Sequence, residues 1–357
     1  MLIHTIHLIS IYVIWLPTPL AYISNQEKRS CRDFCAKALP YEDDITRKQL
    51  TCVFAKQFTN SDSDDSIYFY HCGDHLDNKF HQQRKDLLRK FLYDVFREAS
   101  FKYYGPLGFS TKDSGAILCE TALVLYQAGY PYLSHAHKKY EGTNCSKFNP
   151  VIFYPDFHFI HSEGFKHLIN SLDHANIPFH KKIKKVIWRG ATTGKTGPCE
   201  TLIRVKICEA ARNISWLDFG ISRNLPVCRG RPTKSHIPEI EWIRYRGILD
   251  IDGNANAWGL FWRLFSGSVI FRVESSFTNA YIDKMRPWVH YIPVSRNFSE
   301  LANNTRIVLS DDPADVRLLQ DITSNARSLG KPFTYASEVN RVARELNTFP
   351  SRGKVSF

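Results

Sequence analysis

Lys184-Lys-Val-Ile-Trp-Arg-Gly-Ala-Thr-Thr-Gly-Lys-Thr-Gly-Pro-Cys-Glu200, followed by Thr201-Leu-Ile-Arg-Val-Lys-Ile-Cys-Glu-Ala-Ala-Arg212, is the stretch whose reading decides the fold. Val186, Ile187 and Trp188 predict a short buried strand, and Gly190, Gly194 and Gly197 predict the loop after it. Pro198 and Glu200 predict the start of a helix carrying Leu202, Ile203, Val205 and Ile207. A strand, a glycine loop and a helix in that order suit an anion. Loop amides and the positive end of a helix favour phosphate, and Arg189, Lys195 and Arg204 add charge. The pattern Gly-x-x-x-x-Gly-Lys-Ser/Thr of a nucleoside-triphosphate loop is missed by one residue, since Gly190 and Gly194 enclose three. A P-loop-like kinase or NTPase is therefore kept only as an alternative, beside a glycine-rich turn without a ligand.

Downstream, Gly247-Ile-Leu-Asp-Ile-Asp-Gly253 predicts a strand and Asn254-Ala-Asn-Ala257 a loop of small residues. Residues 258–265 form about two helical turns before Ser266-Gly-Ser268 and a strand over 269–273, completing a second βαβ unit. In doubly wound sheets ligands bind beyond the carboxyl ends of the strands, so Asp252, Gly253 and Asn254 are expected beside the first loop. Glu274, just after the next strand, is positioned to accept protons from ribose hydroxyls. Upstream, 80–101 repeats apolar residues at helical spacing, 116–126 is an apolar helix or strand, and 165–175 is a helix. Val151 to Gly164 runs from a strand into a loop carrying Asp156, His158, His161 and Glu163, where a carboxylate could take a proton from an acceptor hydroxyl.

The 357 residues, 43% hydrophobic and 13% aromatic, suffice for about two packed domains. Residues 1–23 are apolar and short, as in a signal peptide. Nine cysteines and the sequons at Asn144, Asn213, Asn297 and Asn303 agree with a secretory compartment, and Cys31, Cys35, Cys52 and Cys72 are spaced to staple a loop-rich start. The net charge of +12 carries no nucleic-acid motif; its densest run, His180-Lys-Lys-Ile-Lys-Lys185, reads as the solvated entrance to the strand, with at most peripheral membrane contact. No cysteine or histidine spacing argues for a metal.

Four runs in order and spacing, Val186-Ile-Trp-Arg-Gly190 with its Thr-Thr-Gly loop, Ile251-Asp-Gly-Asn254, Phe265-Ser-Gly-Ser268 and Pro287-Trp-Val-His-Tyr-Ile-Pro-Val294, resemble glycosyltransferase family 90. That family includes lipopolysaccharide-modifying and capsule-associated enzymes and the protein O-glucosyltransferases. The resemblance covers about 151–326. It implies an α/β enzyme of two Rossmann-like domains, GT-B-like, with a C-terminal helix packing back. The implied division is a leader at 1–23, an acceptor-side domain at 24–177, a nucleotide-sugar domain at 178–326 and a C-terminal helix and tail at 327–357.

The implied activity is metal-independent, inverting transfer of glucose or xylose from a UDP-sugar to a protein or polysaccharide hydroxyl, without a cofactor, in the endoplasmic reticulum or Golgi lumen or after secretion. Arg189, Gly190 and Thr193 match the diphosphate segment and Gly253 the segment around the donor; Lys195, Arg204, Asp252, Asn254 and Glu274 are added from the reading above. Two departures stand out. Gly129-Tyr-Pro131 occupies the place of an Asp-Tyr-Pro-like run that carries the base, and Ala257 and Gly259 replace a Ser and an Arg. Either Asp156 or Glu163 then serves as the base, or the chain binds a nucleotide sugar or glycan without transferring it.

Overall fold

The computed structural model describes residues 24–41, 50–59, 62, 66–67, 69–72, 79–110, 119–138, 151–194 and 197–349. The leader expected at 1–23 and the Asn144 sequon lie outside the described residues.

Helix α1 (Asn25–Ala38) starts at a capping box in which Ser24 and Glu27 satisfy each other's backbone amides. Its Cys31 and Cys35 share a face and form disulfides with Cys52 of β1 (Leu50–Ala55) and with Cys72, just past β2 (Phe69–His71). The four clustered cysteines thus staple the first helix to the first sheet. Helix α2 (Lys79–Arg97) buries Leu88, Phe91, Leu92, Val95 and Phe96, as its spacing predicts. Then come β3 (Gly105–Ser110), α3 (Cys119–Gln127), β4 (Tyr132–Ser134), β5 (His137–Lys138) and β6 (Val151–Phe153). The apolar segment expected at 116–126 as a helix or a strand is thus helical from Cys119 on. Gly108 has no alternative, because a Cβ there would lie 2.0 Å from the Phe34 ring of α1.

This first sheet has the order β2-β1-β3-β4-β6. β1 pairs antiparallel with both β2 and β3, and β3, β4 and β6 run parallel. The expectation of a Rossmann-like first half is thus met only in its parallel portion. Only 13 residues, 56–68, separate 50–55 from 69–71, barely the length of a parallel crossover, and that pair forms antiparallel.

The chain crosses into the second half through α4 (Phe157–His161), whose Ile160 packs in the first core and Phe159 in the second. After α5 (Lys166–Ala175) come β7 (Ile183–Ala191), α6 (Ile203–Ala210), β8 (Leu217–Arg223), α7 (Glu239–Trp242) and β9 (Tyr245–Asp250). These are followed by α8 (Leu260–Arg263), β10 (Val269–Val273), β11 (Phe277–Thr278), β12 (Ile292–Val294), α9 (Leu301–Arg306) and α10 (Pro313–Gly330). The second sheet is parallel throughout, in the order β8-β7-β9-β10-β12. With β7 as its first strand this is the 2-1-3-4-5 doubly wound order, whose switch point lies between β7 and β9. Val186, Ile187 and Trp188 are buried because β7 is central and covered on both faces.

Helix α11 (Tyr335–Thr348) packs back on the first half, as expected. Its Val339, Val342, Ala343 and Leu346 join the core of α2, Arg341 donates to the Phe153 carbonyl, and the Tyr335 hydroxyl donates to Asp94. Leu172 of α5 and Phe179 belong to the second core.

Lys182 corrects the reading of the basic run as wholly solvated. It is buried, and its Nζ donates to the carbonyls of Ile243 and Ser266 and to Ser268 Oγ. The Ser-Gly-Ser turn is thus a cage for an ammonium, and burial lowers the Lys182 pKa to about 8. Because the folded pKa lies below the unfolded one, the unfolded chain binds the extra proton between about pH 8 and 10.5, and stability from this group rises there. Lys182→Met should cost roughly 2 kcal/mol at pH 7. The gap between wild type and variant should widen from pH 8 to 10, as read by urea unfolding. A gap that narrows would show that the ammonium is not desolvated.

Candidate functional site

β7 ends in a register shift between Gly190 and Ala191, which turns the chain across the sheet edge. A Cβ on Gly190 would lie 2.4 Å from the Trp188 ring, so the strand reaches the loop only with glycine there. Thr192 is buried and fixes the loop to β8: its amide donates to the Arg223 carbonyl (3.1 Å) and its Oγ1 accepts from the Leu225 amide (2.8 Å). The next residues meet the loop after β9. The Gly194 amide donates to Asn254 Oδ1 (3.0 Å), and Thr193 Oγ1 accepts from Arg204 (2.5 Å).

Arg204 joins the two loops from beneath. Its guanidinium also donates to the carbonyls of Asp252 (2.8 Å), Ile251 (3.0 Å) and Ala191 (3.4 Å) and lies over the Trp188 ring. Burial, with Arg263 nearby, lowers its pKa to about 10. A Cβ on Gly253 would sit 2.7 Å from Thr193 Oγ1 and 3.1 Å from the guanidinium. The predicted meeting of the 190–194 and 252–254 segments at the switch point is therefore observed, built on a different use of Arg204 from the anion contact expected of it.

Other expected residues also have different settings. Arg189 is held by a two-pronged pair to Asp218 (2.9 and 3.0 Å) and by the carbonyls of Trp188, Asp218 and Ser235. Burial tends to raise the Asp218 carboxyl, but Arg189 and Lys234 together hold it below its ordinary value. Lys195 lies outside the described residues. The helix expected at Pro198 starts at Ile203 instead: residues Cys199–Thr201 form a single 3-10 turn, which a disulfide from Cys199 to Cys228 ties to the turn after β8. No helix amides therefore stand at Pro198.

Behind the Gly253-Asn254 turn three buried side-chain atoms lack partners. Asp252 Oδ2 accepts no hydrogen bond, and Asn256, 3% exposed, makes none with either amide atom. Burial lifts the Asp252 carboxyl to about 6, against the pull of Ser275 and Arg272. Glu274 is exposed beyond β10. Its carboxylate accepts from the Arg296 amide (3.1 Å), and it lines a pocket with Arg272, Ser275, Phe277, Met285 and Tyr291.

The first half faces these loops with the carboxyl ends of β4 and β6. β5 pairs with β11 across the seam, and Ala136 packs with Ala255 and Phe277. Trp258 meets the rings of His135, Phe157 and His158 (6.1, 6.2 and 4.8 Å between centroids), while the Arg84 guanidinium lies over both Phe157 and Trp258. Asp156 caps α4, accepting the amides of His158 (2.9 Å) and Phe159 (3.0 Å) on one oxygen. It is 3% exposed, lines a small cavity with Tyr154, Asn279, Tyr281 and Glu338, and burial pushes its pKa up to about 7.

Glu163 is an exposed carboxylate beyond α4, paired with Lys90 of α2 (3.0 Å), which holds its pKa down. Gly129 precedes β4, at the end of that strand remote from the seam. No side chain at 129 would reach the loops, so the register that sets Gly129 against the family's base does not lead to the cleft. Missed from sequence were His135, Trp258, Arg84 and Tyr281, whose hydroxyl is buried without a partner beside Asp156. A tryptophan directly after a run of small loop residues was the one available signal.

Among the described residues, no group of three or more His, Cys, Asp or Glu side chains is placed to hold a metal ion, and no helix is long and apolar enough to cross a membrane.

Fold and site together define an α/β protein whose joined loops stand at the switch point of a doubly wound parallel sheet. Residues 147–321, just under half of the chain, match the model of glycosyl transferase family 90. Protein O-glucosyltransferase 2 of Danio rerio is 29% identical over 132 residues, 36% of this chain and 25% of the relative. Protein O-glucosyltransferase 1 of Mus musculus is 25% identical over 143 residues, 39% and 35% of the two chains. An uncharacterized protein, 179R, of Invertebrate iridescent virus 6 is 24% identical over 165 residues, 37% of this chain and 14% of that one. The chain thus spans about a quarter to a third of these two glucosyltransferases.

Arg189 carries the test of this geometry. Arg189→Ala should cost roughly 2–3 kcal/mol by stranding Asp218, and a double-mutant cycle with Asp218→Asn should return a coupling above about 1 kcal/mol. Unchanged stability in chemical denaturation would mean that the guanidinium is free to serve a ligand.

Proposed function

We propose that the chain transfers a sugar, glucose or xylose, from a UDP-sugar to a hydroxyl of a protein or polysaccharide acceptor. The transfer is direct, inverting and independent of metal, in a GT-B-like cleft of the secretory pathway. The observation that carries this reading is the pair of loops joined by Arg204 and Asn254 across a seam from Asp156. The names of the relatives, protein O-glucosyltransferases, support a glucosyl donor and a protein acceptor. The disulfides support an oxidising compartment.

In this reading the diphosphate lies over the 191–194 and 252–254 segments, where loop amides receive the charge that builds on the leaving group. Arg204 stabilises it at second hand by fixing both loops. Glu274, at the end of β10, accepts from the ribose. Asp156 takes the proton of the acceptor hydroxyl, which attacks the anomeric carbon from the face opposite UDP. Both capping bonds fall on its Oδ1, and a carboxyl with a pKa of about 7 suits a base at neutral pH. Trp258 and His158, exposed or half-buried at the seam, offer ring faces to the sugar or the acceptor.

A second reading, binding of a nucleotide sugar without transfer, draws on the burial of Asp156. The kinase alternative is weakened, because no helix follows the glycine loop directly.

Asp156→Asn separates these readings, since asparagine caps a helix as well as aspartate but cannot act as the base. Calorimetric titration with UDP, UDP-glucose and UDP-xylose in EDTA should give binding by both proteins. Release of UDP should fall about 10²–10⁴-fold in the variant. Equal release would remove Asp156 from the chemistry, and binding of UDP that requires a divalent cation would remove metal independence.

The pH dependence has a fixed sign. The folded protein keeps a proton on Asp156 that the unfolded chain releases near its ordinary pKa of 3.8. Stability from this group is fully present below that value and declines as pH rises to about 7, while transfer rises over the same interval. In Asp156→Asn both trends should flatten, which thermal unfolding and initial rates from pH 5 to 8 would read.

A further inference from the structure

We propose that Asn297 is a site of N-linked glycosylation. The sequence offers the sequon Asn297-Phe-Ser299, and the local structure sets it apart from the other described sequons. Asn297 is exposed in the turn after β12. Its Oδ1 accepts the Ser299 amide (3.0 Å), the Ser299 hydroxyl (2.9 Å) and the Ser295 hydroxyl (2.8 Å). Three donors on one carbonyl oxygen polarise the amide and make its N–H more acidic. They also hold the sequon serine against the acceptor residue. The Nδ2 group makes no hydrogen bond among the described residues and stands at the surface. Phe298, at a φ of +63°, packs its ring against the second core and so anchors the turn.

The alternatives differ in kind. Asn303 lies in α9, where residues two apart point to different faces. Its sequon partner Thr305 is fully buried, donating to the Leu301 carbonyl (2.5 Å) and accepting from Trp216 Nε1 (3.1 Å). Asn213 is exposed, but no hydrogen bond joins its side chain to Ser215.

Nδ2 forms a bond to the anomeric carbon of an oligosaccharide diphosphate carried on a lipid, the bond from that carbon to the diphosphate oxygen breaks, and one amide proton leaves with the lipid diphosphate. The donor class belongs to the secretory lumen, where the three disulfides of the described residues also form. The proposal is independent of the transferase reading.

The full chain expressed in a secretory eukaryotic host should shift in mobility on treatment with peptide N-glycosidase. Asn297→Gln should remove one glycan's worth of that shift, and Ser299→Ala should do the same with Asn297 in place, while Asn303→Gln should leave it whole. Glycopeptide mass spectrometry of the wild type should find the glycan on the Asn297 peptide. Overturning outcomes are a wild type insensitive to the glycosidase, a shift unchanged in both Asn297→Gln and Ser299→Ala, or an unmodified Asn297 peptide.

Discussion

A single half-buried guanidinium, that of Arg204, holds together the carboxyl edge of the second sheet. Two strands adjacent in space but far apart in sequence leave the sheet there, β7 into one loop and β9 into the other. Neither loop is regular, so both present carbonyls that need donors. Arg204 supplies them: Ala191 on one side, Ile251 and Asp252 on the other, with Thr193 between. Its bonds go to neutral oxygens, with no carboxylate closing a pair on it among the described residues, and the stack on Trp188 replaces water on one face. Hydrogen bonds to a charged donor are worth about 1.5–3 kcal/mol each, which offsets the cost of removing the charge from water.

The same device recurs around the sheet with other cations. Asp250, at the end of β9, binds Arg263 of α8 (2.5 Å) and Arg272 of β10 (3.3 Å), and Arg263 also lies over the rings of Trp242 and Trp262. Lys182 is caged near the start of β7 by carbonyls and Ser268, and Arg246 of β9 reaches the Val308 and Ser310 carbonyls. Several of the positive charges that make this chain basic are thus internal fasteners between a strand and the irregular segment beside it. A reading of net charge as surface charge overstates the field available to an outside partner. Buried cations bonded to specific carbonyls also fix register, because a strand displaced by one residue would leave each of them without acceptors.

These fasteners mark the border of what the sequence discloses. β7, the glycine loop, the second βαβ unit and the amphipathic α2 and α11 are local patterns, readable from burial periodicity and turn residues, and the four-run resemblance to family 90 is borne out by the family match. The pairing of the 190–194 and 252–254 segments was also legible, since topology alone dictates which strand ends meet. The partners of Arg189, Arg204 and Lys182 were not, because they lie 29, 48 and 61 residues away and no periodicity encodes them. Pro198 looked like a helix start, and the disulfide between Cys199 and Cys228 explains why the helix waits until Ile203: the tethered turn takes up the intervening residues. The antiparallel part of the first sheet escaped the reading for a similar reason, as it depends on stapling and strand order.

The site therefore depends on a seam between two differently built halves. The first holds two separate apolar clusters and is tied by disulfides to α1; the second is a continuous parallel sheet fastened by buried cations. Asp156 stands on one and the Arg204-joined loops on the other, so their separation is set by whatever crosses between them. Besides α4, the described residues cross the seam in the β5–β11 ladder, in the Arg84–Phe157–Trp258 stack, and in α11, which follows the second sheet in sequence yet packs in the first core. A ladder resists sliding along the strands, a cation between two rings resists opening, and a helix seated in the opposite core limits rotation. These crossings tie the two halves at several points along the seam, and exposed rings such as His158 lie beside them. Geometry at the candidate site then comes from packing that already exists in the folded chain, which lowers the ordering cost of any ligand held there.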